Sequence, residues 1–322
     1  MGKYFKISCL FILTVLLYGC DEYKGEQTMP SYIRVKGFKV VANQDLNSQY
    51  VQKDGFLSSD IPDVCVYVTS GNEQKSLGAY SFAKDSSGVV VPILEKGKHL
   101  IELHPGIKYN GMASTREYYQ FYTYWQDTVD LQEGKIVDID TMTVMYNSYA
   151  VMNNVYMFED NFCPFSADTY IDSNIQGPDM QIISGDSVAY GNRCGAFYSN
   201  SSADDYKIIS LDSVVCSNHN AMILEMDYHS NISFNIGLYG SVSAESKSYY
   251  IPCMRIYAND NPVYLPSDKR NWKKMYIILG KVWQQLEYRP FKIWLQPVND
   301  KNQKNGFVHI DNIKIVHFPE SI

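Results

Sequence analysis

The chain has 322 residues, 45% apolar and 20% charged, the balance of a globular protein with a length suited to two domains. Its net charge of −7 at pH 7 comes without a basic patch, which argues against nucleic acid as a partner, because phosphate contacts need clustered cations. No G-x-S-x-G, H-E-x-x-H, glycine-rich phosphate loop or C-x-x-C occurs, which removes the hydrolase, zinc-protease, nucleotide and redox chemistries those patterns carry.

In chain order, Lys3 and Lys6 precede an apolar run from Ile7 to Leu17, broken by Ser8, Cys9 and Thr14. A charged head and an apolar core make a secretory signal, and the run falls short of the roughly 20 apolar residues that span a bilayer. It closes on Leu17-Tyr18-Gly19-Cys20, which resembles the lipobox of bacterial lipoproteins, with Tyr18 where a smaller residue is usual. The resemblance implies removal of residues 1–19, lipid on Cys20, and a mature chain near −9 once Lys3 and Lys6 are lost. Asp21 and Glu22 resemble the acidic export signal of Bacteroidota lipoproteins, which implies the outer membrane and its outer surface, with the periplasmic face as the alternative. Residues 20–29 then read as a hydrated tether. No later run reaches transmembrane length.

Strands follow almost throughout. Ile33 and Val35 change phase to Phe38 and Val40 across Gly37, as at a bulge. Val64, Val66 and Val68 alternate with Cys65, Tyr67 and Thr69, a period of two. Val89 to Leu94 is a strand that Pro92 pushes to a sheet edge. Lys98 to His104 precedes Pro105-Gly106, read as a turn, and Asp138 to Tyr146 closes the first unit. The run from Pro30-Ser31-Tyr32-Ile33 through Pro105-Gly106-Ile107 resembles small immunoglobulin-like repeats of bacterial surfaces and a group of Bacteroidota lipoproteins without assigned activity. Residues 147–154, small and polar, read as a linker.

The second unit has strands at 221–228, 232–239, 272–279, 291–296 and 307–316, with a helical turn near Lys281 to Leu286. Short strands separated by turn signals indicate a sandwich. Phe158-Glu159-Asp160, Gly195-Ala196-Phe197, Leu224-Glu225-Met226-Asp227-Tyr228, Trp272-Lys273-Lys274 and Phe307-Val308-His309-Ile310-Asp311-Asn312-Ile313 follow in that order. Together they resemble the galactose-binding-like jelly roll of many carbohydrate-binding modules. The expected fold is therefore all-β: an immunoglobulin-like sandwich over 30–146, then a jelly roll over 155–322.

Several residues are candidates for chemistry. Val308 and Ile310 share one parity and Ile313 and Ile315 the other, so β-structure slips at Asp311-Asn312. The jelly-roll resemblance implies structural calcium held by Asp311 and Glu159, with Asp160 as a further donor; calcium needs six to eight oxygens, so carbonyls or water complete the shell. Trp294 alternates with Ile293 and Leu295, which sets it on the face opposite the core, either as a sugar platform or packed against the other domain. Tyr118 to Trp125 forms a second aromatic cluster, from which Tyr122, Tyr124 and Trp125 are candidate ligand contacts, the alternative being packing between sheets. Tyrosine is abundant, at 27 residues, and by itself does not choose between these uses.

Glu225 and Asp227 share one face of a strand roughly 7 Å apart, a spacing usable for sugar hydrolysis but ordinary on a solvent face. Beyond Cys20 there are five cysteines, so at least one is unpaired. Asp127-Thr128-Val129, Asp140-Thr141-Met142, Asp186-Ser187-Val188 and Asp212-Ser213-Val214 resemble the short O-glycosylation signal of exported Bacteroidota proteins. The reading is a non-catalytic, lipid-anchored envelope protein that meets the membrane through its anchor and binds carbohydrate; the alternative is an assembly component contacting partner envelope proteins.

Overall fold

A computed structural model describes residues 29–46, 57–58, 60–82, 87–156, 158, 162–168, 177–185, 188, 191–202, 205–216, 222–259 and 272–319. Cys20, the tether up to residue 28, Glu159, Asp160 and Ser187 lie outside them. The architecture is all-β, two sandwiches in series, each with its own hydrophobic core. Among the described residues no helix is long and apolar enough to cross a membrane.

In the first sandwich, β1 (Ser31–Val35), β2 (Phe38–Val40), β5 (Val89–Ile93), β9 (Ile136–Ile139) and β10 (Met142–Val144) form one layer. The other contains β3 (Asp63–Ser70), β4 (Glu73–Ser81), β6 (Gly97–Lys108), β7 (Arg116–Tyr118) and β8 (Trp125–Leu131). The phase change at Gly37 is real: Ile33 and Val35 are buried before it, Phe38 and Val40 after it. β1 pairs in parallel with β9 and β2 with β10, so two chain segments stay side by side across the break. β5, with Pro92, is an edge strand, which suits a residue without an N–H to donate.

Two local readings are corrected. Pro105-Gly106 is not a turn but part of β6. The Pro105 carbonyl accepts from Tyr119 N at 2.8 Å, and a Cβ on Gly106 would meet Asp63 Cβ at 2.9 Å. Glycine is there because the neighbouring strand comes close. Residues 147–154 are not all linker either, because β11 (Val151–Tyr156) pairs with the final strand.

The second sandwich faces β13 (Gln181–Ser184), β14 (Arg193–Ser199), β16 (Ile223–Ser230), β19 (Lys273–Ile278) and β21 (Gly306–His317) against the other sheet. That sheet consists of β12 (Phe165–Ala167), β15 (Ile208–Ser210), β17 (Ser233–Gly240), β18 (Tyr249–Ile256) and β20 (Phe291–Val298). A helical turn at Gly280–Gln284 buries Trp283 in the core. The slip at Asp311-Asn312 is a bulge. Asp227 pairs with Asp311 but Glu225 with Lys314, so β21 holds one residue more than β16 there. Asn312 adopts φ 51°, a left-handed conformation that asparagine tolerates, and its amide donates to Asp227 Oδ2 at 2.9 Å.

The sandwiches meet on the outer face of β16, β19 and β21, where Ile223, Tyr276 and Val316 join the first core. Asn110 N donates to the Tyr276 carbonyl at 2.8 Å and Ile278 N to Asn110 Oδ1 at 3.1 Å. At the centre lies Glu225, fully buried. Lys274 Nζ stands 2.7 Å and Lys314 Nζ 3.6 Å from its Oε2. The Tyr146 hydroxyl donates to Oε2 at 2.6 Å, and the Tyr119 hydroxyl donates to Oε1. Lys274 also donates to Tyr122 Oη at 3.0 Å and lies 5.3 Å from the Tyr276 ring centroid.

Burial alone would raise the Glu225 pKa, but Lys274, Lys314 and the hydrogen bonds overcome it and bring it from 4.5 down to about 2. Because the folded value lies below the unfolded one, the ionised carboxylate adds stability above about pH 4.5, lost as pH falls toward 2. Asp60 and Asp227, whose pKa values burial raises, run the opposite way, so the contribution is isolated by comparing wild type with a variant. Glu225→Gln leaves two buried ammonium groups without their carboxylate and should cost about 3–5 kcal/mol at pH 7, against less than about 0.5 for exposed Glu245→Gln. Urea denaturation of both, repeated down to pH 2.5, checks this. A difference for Glu225→Gln that does not shrink with acid would mean that charge is not its source.

Candidate functional site

The proposed acid–base pair does not face solvent. Glu225 and Asp227 share a strand face, as their spacing requires, but the first sandwich covers that face and both are fully buried. Glu225 is committed to two lysines and two tyrosines. Asp227 holds the Asn312 amide, and burial raises its pKa against the pull of Lys274. Neither is placed to exchange a proton with a substrate. Burial also pushes the thiols of Cys194 and Cys253 up to about 12 and that of Cys65 to about 11, which leaves them protonated and poor nucleophiles at neutral pH.

Trp294 is a correction of the same kind. It has the predicted parity, opposite the buried Ile293 and Leu295, yet it is only 3% exposed. Its indole lies over Gly237, its cross-strand partner, where a Cβ would run into both the ring and the Ile251 carbonyl. Nε1 donates to the Leu238 carbonyl at 3.1 Å, and the Tyr250 ring stands edge-on at 5.7 Å. A side chain so covered is packing, not a platform for a sugar ring.

The Tyr118–Trp125 cluster divides. Tyr119, Phe121 and Tyr122 point inward. Tyr122 packs against Tyr146 and Lys274 in the joint and is lost as a ligand contact. Tyr118 and Tyr124 stay open, 45% and 46% exposed. The Tyr124 ring stacks on His104 at 4.3 Å and 16°, while Tyr118 and Tyr67 flank the same imidazole at 5.4 and 5.0 Å. Beside them Glu102 accepts from Gln74 Nε2 at 2.8 Å and meets His104 Nε2 at 3.1 Å. Burial lowers the His104 pKa, with Glu102 pulling the other way.

Tyr67, Glu102 and His104 are site residues that the sequence reading missed. Alternation in β3 and β6 sets them opposite the buried Val66, Val68, Ile101 and Leu103. That parity was legible. Their convergence beneath Tyr124 was not, because it depends on a chain reversal between β7 and β8.

Trp125 is half-buried and lines a groove of about 630 Å3 between β8 and the β9–β10 segment, with Asp127, Asp138, Asp140, Thr141 and Thr143. Asp138 pairs with Arg34 at 3.1 Å and Asp140 with Lys36 at 2.6 Å. Among the described residues β8 and β9 border their sheets, and charge along such edges blocks unwanted strand pairing. Thr128 and Thr141, from two of the O-glycosylation-like triplets, are exposed beside it. Asp311 is buried at the bulge, its Oδ1 accepting from Asn312 N at 2.8 Å. Its expected partner Glu159 lies outside the described residues, and among those described no three histidine, cysteine or acidic side chains come together as metal ligands.

No protein family matches the sequence, and no curated protein is similar to it. Similar solved structures include a family 11 carbohydrate-binding module from Clostridium thermocellum in complex with a β-1,3-1,4-mixed-linked tetrasaccharide. It is 12% identical over 52% of this chain and 94% of that one, with a TM-score of 0.35. A family 30 carbohydrate-binding module of a Clostridium thermocellum cellulosomal cellulase is 14% identical over 54% of this chain and 99% of that one, with a TM-score of 0.35. A tandem of family 22 modules from a Paenibacillus barcinonensis protein is 13% identical over 79% and 73%, with a TM-score of 0.34. At such scores the likeness carries no argument about what this chain binds.

Proposed function

We propose that this chain is a lipid-anchored protein of the cell envelope that binds carbohydrate without catalysis, on the open face built by Tyr118, Tyr124 and His104. The carrying observation is two half-exposed tyrosines gathered around one imidazole, with the Gln74–Glu102–His104 hydrogen-bonded network beside them. Aromatic faces accept the C–H face of a pyranose, and fixed carboxylate and amide groups satisfy its hydroxyls. Ring positions set by stacking reduce the ordering cost of binding. The anchor rests on the charged head, the apolar run and Cys20, and exposure at the cell surface on Asp21 and Glu22.

A second reading, assembly with an envelope protein, draws support from the groove beside Trp125, whose Asp127, Thr128, Asp130 and Thr143 offer polar side chains to a partner surface. The same jelly-roll reading includes structural calcium at Glu159 and Asp311, supported by two buried carboxylates, Asp227 and Asp311, paired across the bulge.

Retention of the lipid-free mature protein in polysaccharide-containing gels tests the first reading. Tyr124→Ala should weaken binding about tenfold, roughly 1.4 kcal/mol, with the melting temperature unchanged. A variant that binds like wild type, or silence across a broad panel, would transfer the assignment to assembly. EGTA should lower the melting temperature if calcium is held, and an unshifted transition in metal-free buffer removes that part.

A further inference from the structure

The open tyrosine face also carries information about the charge of its ligand. We infer that it selects uncharged glycans over uronate or sulfated ones, with Glu102 as the specificity-determining residue; this rests on the glycan-binding reading.

Glu102 sits on β6, flanked across the sheet by Tyr67 on β3 and Gln126 on β8. Its side chain is 13% exposed. One oxygen is held by the Gln74 amide and the other by the His104 ring, so the carboxylate cannot swing away. An ionised carboxylate has about four acceptor sites, and this one keeps capacity for hydroxyl donors of a neutral sugar. A sugar carboxylate or sulfate has no proton to offer it at neutral pH and brings a like charge.

Among the described residues, the cations near this face are matched by acidic neighbours. Lys98, four residues back along β6 on the same face, stands across from Asp130 on β8, while Lys108 and Arg116, farther along β6 and on β7, converge on Asp63 at 3.5 and 3.2 Å. Lys75 on β4 turns to Glu95 at 3.6 Å. Burial keeps His104 on the neutral side of its usual range, so the imidazole does not offset Glu102.

The test pairs soluble glucan, mannan and galactan with the same polymers oxidised at C6 to uronates, run against full mature protein in affinity gels. For the polymer that binds, the oxidised form should be retained at least tenfold more weakly at low salt. Salt at 0.5 M, which shortens the screening length to a few ångströms, should narrow that gap, and Glu102→Gln should largely close it. Equal or tighter binding of the oxidised polymer overturns the inference while leaving glycan binding intact. So does a gap that ignores salt in the wild type, a readout that does not depend on the variant folding. Failure of every polymer in both forms overturns the glycan reading and this inference together.

Discussion

The Glu225 carboxylate is the constraint around which the molecule is arranged. A charge removed from water must be paired and hydrogen-bonded or it costs several kcal/mol. Its partners come from four separate stretches of chain: Lys274 on β19, Lys314 on β21, Tyr119 after β7 and Tyr146 after β10. Satisfying it fixes how the first sandwich sits on the second. It also employs four of the 27 tyrosines: Tyr119 packs edge to face on Tyr122 and Tyr276 at 4.9 Å, and Tyr122 tilts against Tyr146 at 4.7 Å, around the ion pair. Phenol suits this place because its ring fills an apolar joint while its hydroxyl reaches the charge.

The bulge in β21 serves the same end. Val308 and Ile310 point into the second core, and strict alternation would send residue 314 after them. One extra residue at Asp311-Asn312 reverses the parity. Ile313 and Ile315 then fill the core, while Lys314 and Val316 face the joint. A lysine that would otherwise be stranded among isoleucines becomes a partner of Glu225.

Joint and open face are built from one run of chain. From the end of β7 to the start of β8, the turn at Tyr119–Tyr122 divides this run, with Tyr119 and Tyr122 drawn into the joint and Tyr118 and Tyr124 left on the outer face of the sheet. The short loop is held by Tyr122 N on the Tyr119 carbonyl at 3.1 Å and Thr123 N on the Met145 carbonyl at 2.8 Å. The platform proposed to hold sugar is therefore anchored by side chains buried in the joint next to it. Such preorganisation favours affinity without requiring a deep pocket.

Much of this was present in the order of residues. Alternation located the strands, Pro92 marked an edge, and the mismatch between Val308–Ile310 and Ile313–Ile315 placed the bulge. These are local consequences of a period-two backbone and of the chemistry of proline and asparagine, which each segment carries with it. Which outer faces remain open was decided only by the tertiary structure. Parity says that Trp294 and Glu225 turn away from their own core, but not that Gly237 lets the indole lie flat under Tyr250, nor that Tyr119, 106 positions away, closes over the carboxylate. Openness is a property of what arrives from elsewhere in the chain, and no local repeat encodes it. The same long-range packing left Tyr118 and Tyr124 uncovered and gathered Tyr67, Glu102 and His104 beside them.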